Sequence, residues 1–366
     1  MNSIERVNAA LSFEKPDRVP VIAQVFGHAA VLAGVSLHDY VRDGELLARC
    51  QIRALRRYDY DAVFALMDTS VETEAAGSIL TYPRDCYPYV ASFALPEISK
   101  LEGLSLPDPR KDGRMPELLK AAAILRREVG DEVLVVGCVL GPLTVAMQLM
   151  GAEPALYLAI DQPERFERLL DFSADLAIRF GTAQLEAGVH LPVVFDPSAS
   201  PAVVPPSFFR EFELPRLERL FTALKQAGAA ANWLHIAGPA TPILPYYPRA
   251  GVDIANFDYC VQASEAQVAV PRTCLDGNIK PLSFVESTPE AISEESSALL
   301  DRFACRGGFI LSSGCEIPPE AQPENVAAMV SAARGRGVNI ADSDRKTGKR
   351  GTPNPIHLRP LSARYP

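Results

Sequence analysis

The chain predicts an α/β protein, and within that class a single-domain (β/α)8 barrel. Three observations carry the prediction: eight short apolar runs recur along 366 residues, amphipathic segments lie between them, and polar or small residues stand where the runs stop. Runs that alternate with helices indicate a parallel sheet with helical crossovers. Eight such units close a barrel whose chemistry gathers at the C-terminal ends of the strands. With 48% hydrophobic and 22% charged residues, the chain has apolar material for one large core.

The runs are 19–25, 62–66, 133–139, 191–195, 232–235, 252–257, 273–275 and 309–312. Each is short and rich in Val, Leu, Ile or Phe, as strands covered on both faces are. Helices are expected at 116–129, 163–187, 206–227, 289–305 and 323–334. Each opens on a proline, whose fixed φ and missing N–H suit the first helical turn. The barrel is expected over 1–340. From Ala341 onward Arg345, Lys346, Lys349, Arg350, Arg359 and Arg364 outnumber Asp342 and Asp344, with no apolar period, so 341–366 reads as a flexible basic tail.

Composition excludes several partners. A net charge of −9 disfavours nucleic acid, which needs a basic footprint. No apolar stretch is long enough to span a bilayer, and the first residues lack a secretory pattern, so a cytoplasmic protein without membrane contact is expected. Seven cysteines form no CxxC pair and read as reduced thiols. No Gly-rich phosphate loop follows any run, so nucleotide cofactors are not expected.

The strand ends supply Gln24, Asp68, Gly141, Pro142, Asp196, His235, Asp258, Gly277, Asn278 and Cys315. His235 closes the run Trp233-Leu234-His235, and Cys315 follows Phe309 to Ser312. One imidazole and one thiol delivered to the same rim make a candidate metal site. Ala237 is as informative, because a cysteine two residues after His235 would have given a third ligand and this chain has a methyl group there.

Several segments, in order, resemble the uroporphyrinogen decarboxylase superfamily, and within it the cobalamin-dependent branch of methylcobamide:coenzyme M methyltransferases. They are Asp17-Arg18-Val19-Pro20-Val21, Asp68 with Val71 to Gly77, Gly141-Pro142-Leu143-Thr144, and Asp196 to Ser200 with Phe208 to Pro215. His235, Asp276-Gly277-Asn278, and Ser313 to Pro319 with Glu324-Asn325 complete the set. The decarboxylase branch meets its polycarboxylate substrate with an arginine-rich N-terminal segment. This chain has no arginine between Arg18 and Arg42, which removes the bidentate partners of carboxylates.

The resemblance implies a methyltransferase that moves a methyl group between a small-molecule donor or acceptor and the cobalt of a separate corrinoid-binding protein. The chain lacks the Asp-x-His-x-x-Gly pattern that would hold a corrinoid itself. Zinc is implied on His235 and Cys315, with Ala237 in place of the usual third ligand. Asp196 and Asp68 are the candidates for orienting or proton-handling groups, Asn278 for a hydrogen-bond donor, and His235 for a catalytic as well as a ligating role. Gly141, Pro142 and Gly277 are candidates for cofactor contact. Glu72 and Glu74 read as a salt bridge or a cap. Two rival readings stand beside this one: a decarboxylase of a porphyrinogen or smaller acid, and a barrel that binds a partner without catalysis. A homodimer fits either.

Overall fold

A computed structural model describes residues 1–335, so the basic tail expected over 341–366 lies outside the described residues. The strands, in chain order, are β1 (Ala62–Phe64), β2 (Ile79–Thr81), β3 (Tyr89–Ser92), β4 (Leu134–Leu140) and β5 (Leu191–Phe195), followed by β6 (Trp233–His235), β7 (Ile254–Asn256), β8 (Cys274–Ile279) and β9 (Phe309–Ser313). Seven of them form one parallel sheet in the order β1-β4-β5-β6-β7-β8-β9, while β2 and β3 make a separate antiparallel hairpin. The order follows the sequence, as successive right-handed βα units require.

The sheet is curled. Phe64 on β1 and Trp233 on β6 have ring centroids 6.2 Å apart although β4 and β5 lie between their strands, so both rings point inside the curl. Paired residues in parallel strands share a face, which fixes the other inward positions: Val136, Cys138 and Leu140 on β4, Val193 and Phe195 on β5, Asn256 on β7, Asp276 on β8. The outward positions pack on helices. Gly137, for example, would drive a Cβ to 2.2 Å from Oε1 of Gln184 on the helix Pro163–Glu186.

The first expected strand, 19–25, is not a strand among the described residues. It touches the sheet through isolated parallel bridges, Val21 with Leu311 and Val25 with Ile317. On its other side the backbone N–H of Asp61 donates to the Val21 carbonyl, and Val21 N–H donates to the Asp61 carboxylate at 2.7 Å. A side chain takes the place of a ladder carbonyl, and Pro20 has no N–H to give. Asp61 is wholly buried and is held by Arg18, Arg6 and Ser3 as well.

Two further departures matter for the site. The helix expected over 206–227 is interrupted by a π-helical turn, Phe209–Glu213, before resuming as Leu214–Gln226. Such turns are uncommon and tend to mark functional regions. Gly277 and Asn278 lie within β8, not beyond it.

Candidate active site

Inward positions on three neighbouring strands form one polar layer. His235 ends β6, Asn256 ends β7, and Asp276 is registered with Asn256 on β8. Their exposures are 2%, 0% and 0%. Asn256 Nδ2 donates to Asp276 Oδ2 at 3.1 Å, but both ring nitrogens of His235, Asn256 Oδ1 and Asp276 Oδ1 have no hydrogen-bond partner. Burial pushes His235 down to about 3, so the imidazole is neutral. Burial pushes Asp276 up to about 7 against the donors of Asn256, Ser312 and Trp233 that face it. Sequence reasoning passed over Asn256 altogether, and placed Asp276 in a motif without giving it a role.

Aromatic rings wall this layer. Phe195 lies against His235 with centroids 4.5 Å apart, Phe26 meets Phe195 at 6.1 Å and Phe64 at 4.9 Å, and Phe64 meets Trp233. No Lys or Arg occurs on any of the seven parallel strands.

At the rim, the loops after β6, β7 and β9 meet at Asp258. Its carboxylate accepts from Gly238 N–H at 2.7 Å and Tyr259 N–H at 2.6 Å. A Cβ on Gly314, next to Cys315, would lie 2.6 Å from Asp258 Oδ1. The Asp258 carboxylate thus bonds the segment that follows His235 and lies close against Gly314, the residue before Cys315. Burial pushes the Cys315 thiol up to about 11. Next to it Glu316 accepts from Tyr87 Oη and Gly27 N–H, and burial lifts it to about 7. Asn278 donates its side-chain amide to the carbonyls of Asp258 and Val261, so it braces the rim loop.

Asp196 is reached from the other side. Its Oδ1 accepts from Thr144 N–H at 2.9 Å and Thr144 Oγ1 at 2.6 Å, at the start of the helix Pro142–Met150. The helix N-terminus that could have received an anion is thus filled by a residue of the chain. Gly141 would place a Cβ 2.3 Å from Asp196, which gives this glycine a steric reason. Pro142 opens the helix at N1. Glu213, at the end of the π-turn, faces Asp196. Both carboxyls are wholly buried, and burial raises both, so a shared proton accounts for oxygens that otherwise lack donors. Glu213 was not anticipated; with Arg210, Glu211 and Arg216 close by in sequence, nothing local sets it apart from a solvated acid.

Asp68 is committed as well. It pairs with Arg114 and accepts from Ser70 N–H and Oγ, while Arg114 also binds Glu74 and the Val41 carbonyl. Glu74 is the salt bridge expected. Glu72 instead accepts from Leu140 N–H at 2.7 Å and is lifted by burial to about 7.

The donor set does not fit a resident zinc. His235 has the neutral, unpartnered imidazole that a ligand needs, yet no group of three or more His, Cys, Asp or Glu suited to a metal occurs among the described residues. Side chains that could stand in for a Cys at 237 are spent or misplaced. Asp258 holds Gly238 and Tyr259, Glu316 holds Tyr87 and Gly27, and Cys260 is exposed. Cys274 is two residues before Asp276 at the opposite end of β8.

A parallel α/β sheet with a polar layer on its inward face defines the class. The chain belongs to the uroporphyrinogen decarboxylase (URO-D) family, whose model matches residues 2–336. It is 28% identical over 336 residues to the methylcobamide:CoM methyltransferase MtaA of Methanosarcina barkeri, covering 89% of this chain and 96% of that one. It is 29% identical over 295 residues to the uroporphyrinogen decarboxylase of Syntrophotalea carbinolica, covering 78% and 82%. A solved methyltransferase from Methanosarcina mazei superposes with a TM-score of 0.84 at 27% identity, covering 92% of this chain and 99% of that one.

Proposed function

We propose that this protein is a methyltransferase that moves a methyl group between a small-molecule substrate and the cobalt of a partner corrinoid protein. The observation that carries the reading is the inward polar layer: a neutral imidazole, an amide and a carboxylate among aromatic rings, with no arginine or lysine on the strands. Such a lining suits the body of a small methylated molecule and repels a polycarboxylate, which separates it from the decarboxylase reading. The named methyltransferase relatives support it. In this reading the segment 20–25 serves as an eighth stave, the sheet closes as a (β/α)8 barrel, and the corrinoid protein docks over the C-terminal mouth. Since the donor set does not fit zinc, activation of the methyl group falls to the substrate's own chemistry. The protein is proposed to work in the cytoplasm; no single helix among the described residues is long and apolar enough to cross a membrane.

The role of the chain is to hold the methyl carbon in line with its acceptor and to keep water out. His235, Asn256 and Asp276 orient the substrate's polar end, and Phe26, Phe195 and Trp233 exclude water around it. The test supplies chemically reduced cob(I)alamin and a series of methylated amines, thioethers, alcohols and aryl ethers, and follows formation of the methyl–cobalt bond by absorbance. Transfer from at least one donor, lost on His235→Ala, is expected. Carbon dioxide release from uroporphyrinogen with no methyl transfer would overturn the reading.

A further inference from the structure

We infer that the group bound by the inward layer is a methylated ammonium, and that its N-methyl group is the one transferred. The inference rests on the methyltransferase reading and adds the substrate class. Four rings, Phe26, Phe64, Phe195 and Trp233, form a connected set of faces and edges inside the curl. Aromatic faces attract a desolvated cation, and cages of such rings are a known way of holding quaternary ammonium groups. Beside them Asp276 is the one acidic side chain on the inward positions, and no inward residue of the seven strands carries a positive charge. Asn256 Oδ1 and Asp276 Oδ1 accept no hydrogen bond within the fold, although Ser312 and Trp233 face the Asp276 carboxylate, and both residues are fully buried. An unpaired buried acceptor is costly, so these two oxygens favour a group that brings positive charge, beside the equally unpartnered ring nitrogens of His235 and Trp233.

The chemistry agrees with the gap at Ala237. When cobalt(I) of the partner corrinoid attacks the methyl carbon, the new cobalt–carbon bond uses the metal's electron pair. The carbon–nitrogen bond breaks with its pair staying on nitrogen. Cobalt rises formally from (I) to (III), the ammonium becomes a neutral amine, and no proton moves. A thioether or alcohol would leave as an anion and need a Lewis acid or a proton; an ammonium leaves neutral and needs neither. The substrate brings the activation that a third metal ligand would otherwise have helped to supply.

The test uses the full chain and two isosteres, choline and its neutral carbon analogue 3,3-dimethylbutan-1-ol, in calorimetric titrations. Choline is expected to bind at least about tenfold tighter, the equivalent of roughly 1.4 kcal/mol. The comparison needs no variant. Trp233→Leu and Asp276→Asn, each checked for an unchanged thermal transition, are expected to erase most of the difference. Equal binding of the two isosteres, or binding of the anionic thiol 2-mercaptoethanesulfonate in preference to choline, would overturn the inference. The two readings separate in the cob(I)alamin assay. Methyl transfer from thioethers or alcohols but not from tetramethylammonium or choline keeps the methyltransferase and rejects the ammonium. Selective choline binding without transfer from any donor keeps the cation site and rejects the methyltransferase.

Discussion

Gly141→Ala separates a steric role for this glycine from a cofactor role. Its φ of −70° and ψ of 157° are open to any residue, so the backbone bears no cost. The cost lies in the contact: the added carbon would sit 2.3 Å from Asp196 Cβ and Oδ2 and 2.4 Å from Cγ. Asp196 has little room to yield, because one oxygen is held by two bonds from Thr144 and the other abuts the buried Glu213. Overpacking costs about 1–3 kcal/mol. Losing one or both bonds to a buried charged group adds about 1.5–3 kcal/mol for each. A destabilisation of about 2.5–6 kcal/mol is expected if one bond is lost and about 4–9 kcal/mol if both are. Urea unfolding followed by the emission of Trp233, the only tryptophan, would read it. In an Asp196→Ala background the same change should cost under about 1 kcal/mol, since the two sites are coupled through contact. If Gly141→Ala alone costs under about 1 kcal/mol while corrinoid-dependent activity falls, the steric account is wrong and the glycine serves a ligand.

Two further outcomes follow from the same contacts. Ala237→Cys would add the third ligand that the resemblance implies beside His235 and Cys315, and is expected to retain about one zinc per chain after dialysis, where the parent protein retains a small fraction, as read by elemental analysis. Equal retention would mean that other groups complete the site. Glu72→Gln keeps an acceptor for Leu140 N–H but cannot ionise. The Glu72 pKa rises from 4.5 in the open chain to about 7 on burial, so its contribution to stability is intact below about pH 4.5 and is lost as pH rises through about 7. The stability of the variant relative to the parent should therefore climb between those pH values and then level off. A difference that stays flat, from urea midpoints at pH 5 and pH 8, would count against the shift.

Seven of the eight expected runs became sheet strands, because an apolar β-branched run between helices leaves few alternatives. The exception has a specific cause. Val19 to Val25 has the composition of a strand, but its pairing partner on one side is a side-chain carboxylate, and nothing in the local sequence announces that Asp61 will stand in for a carbonyl. The hairpin β2–β3 escaped for the opposite reason: its strands are mostly exposed and lack an apolar period. The π-turn at Phe209–Glu213 is invisible to a periodicity argument, since one extra residue per turn alters the helical phase only locally.

Polar strand ends pointed to the candidate site, but not to which way each side chain faces. Asp68 and Asp196, the acids expected to handle protons, are bound by Arg114 and by Thr144, and Asn278 braces a loop. Among the buried atoms left without partners are oxygens of Asn256 and Asp276, residues that the register of β6, β7 and β8 brings level with His235, and register is a property of the folded sheet. Their lack of partners has a measurable consequence. A buried ring with two unpaired nitrogens forgoes its hydration for nothing in the free protein, a loss of about 1–3 kcal/mol for each polar atom. His235→Phe keeps a ring against Phe195 and removes both nitrogens, so the variant should be as stable as the parent or more so, while substrate binding is lost. That pairing of gained stability with lost function is what a site held open for a ligand predicts. A His235→Phe protein destabilised by more than about 1 kcal/mol in urea unfolding would show that the imidazole is satisfied within the fold, and that the layer is part of the core.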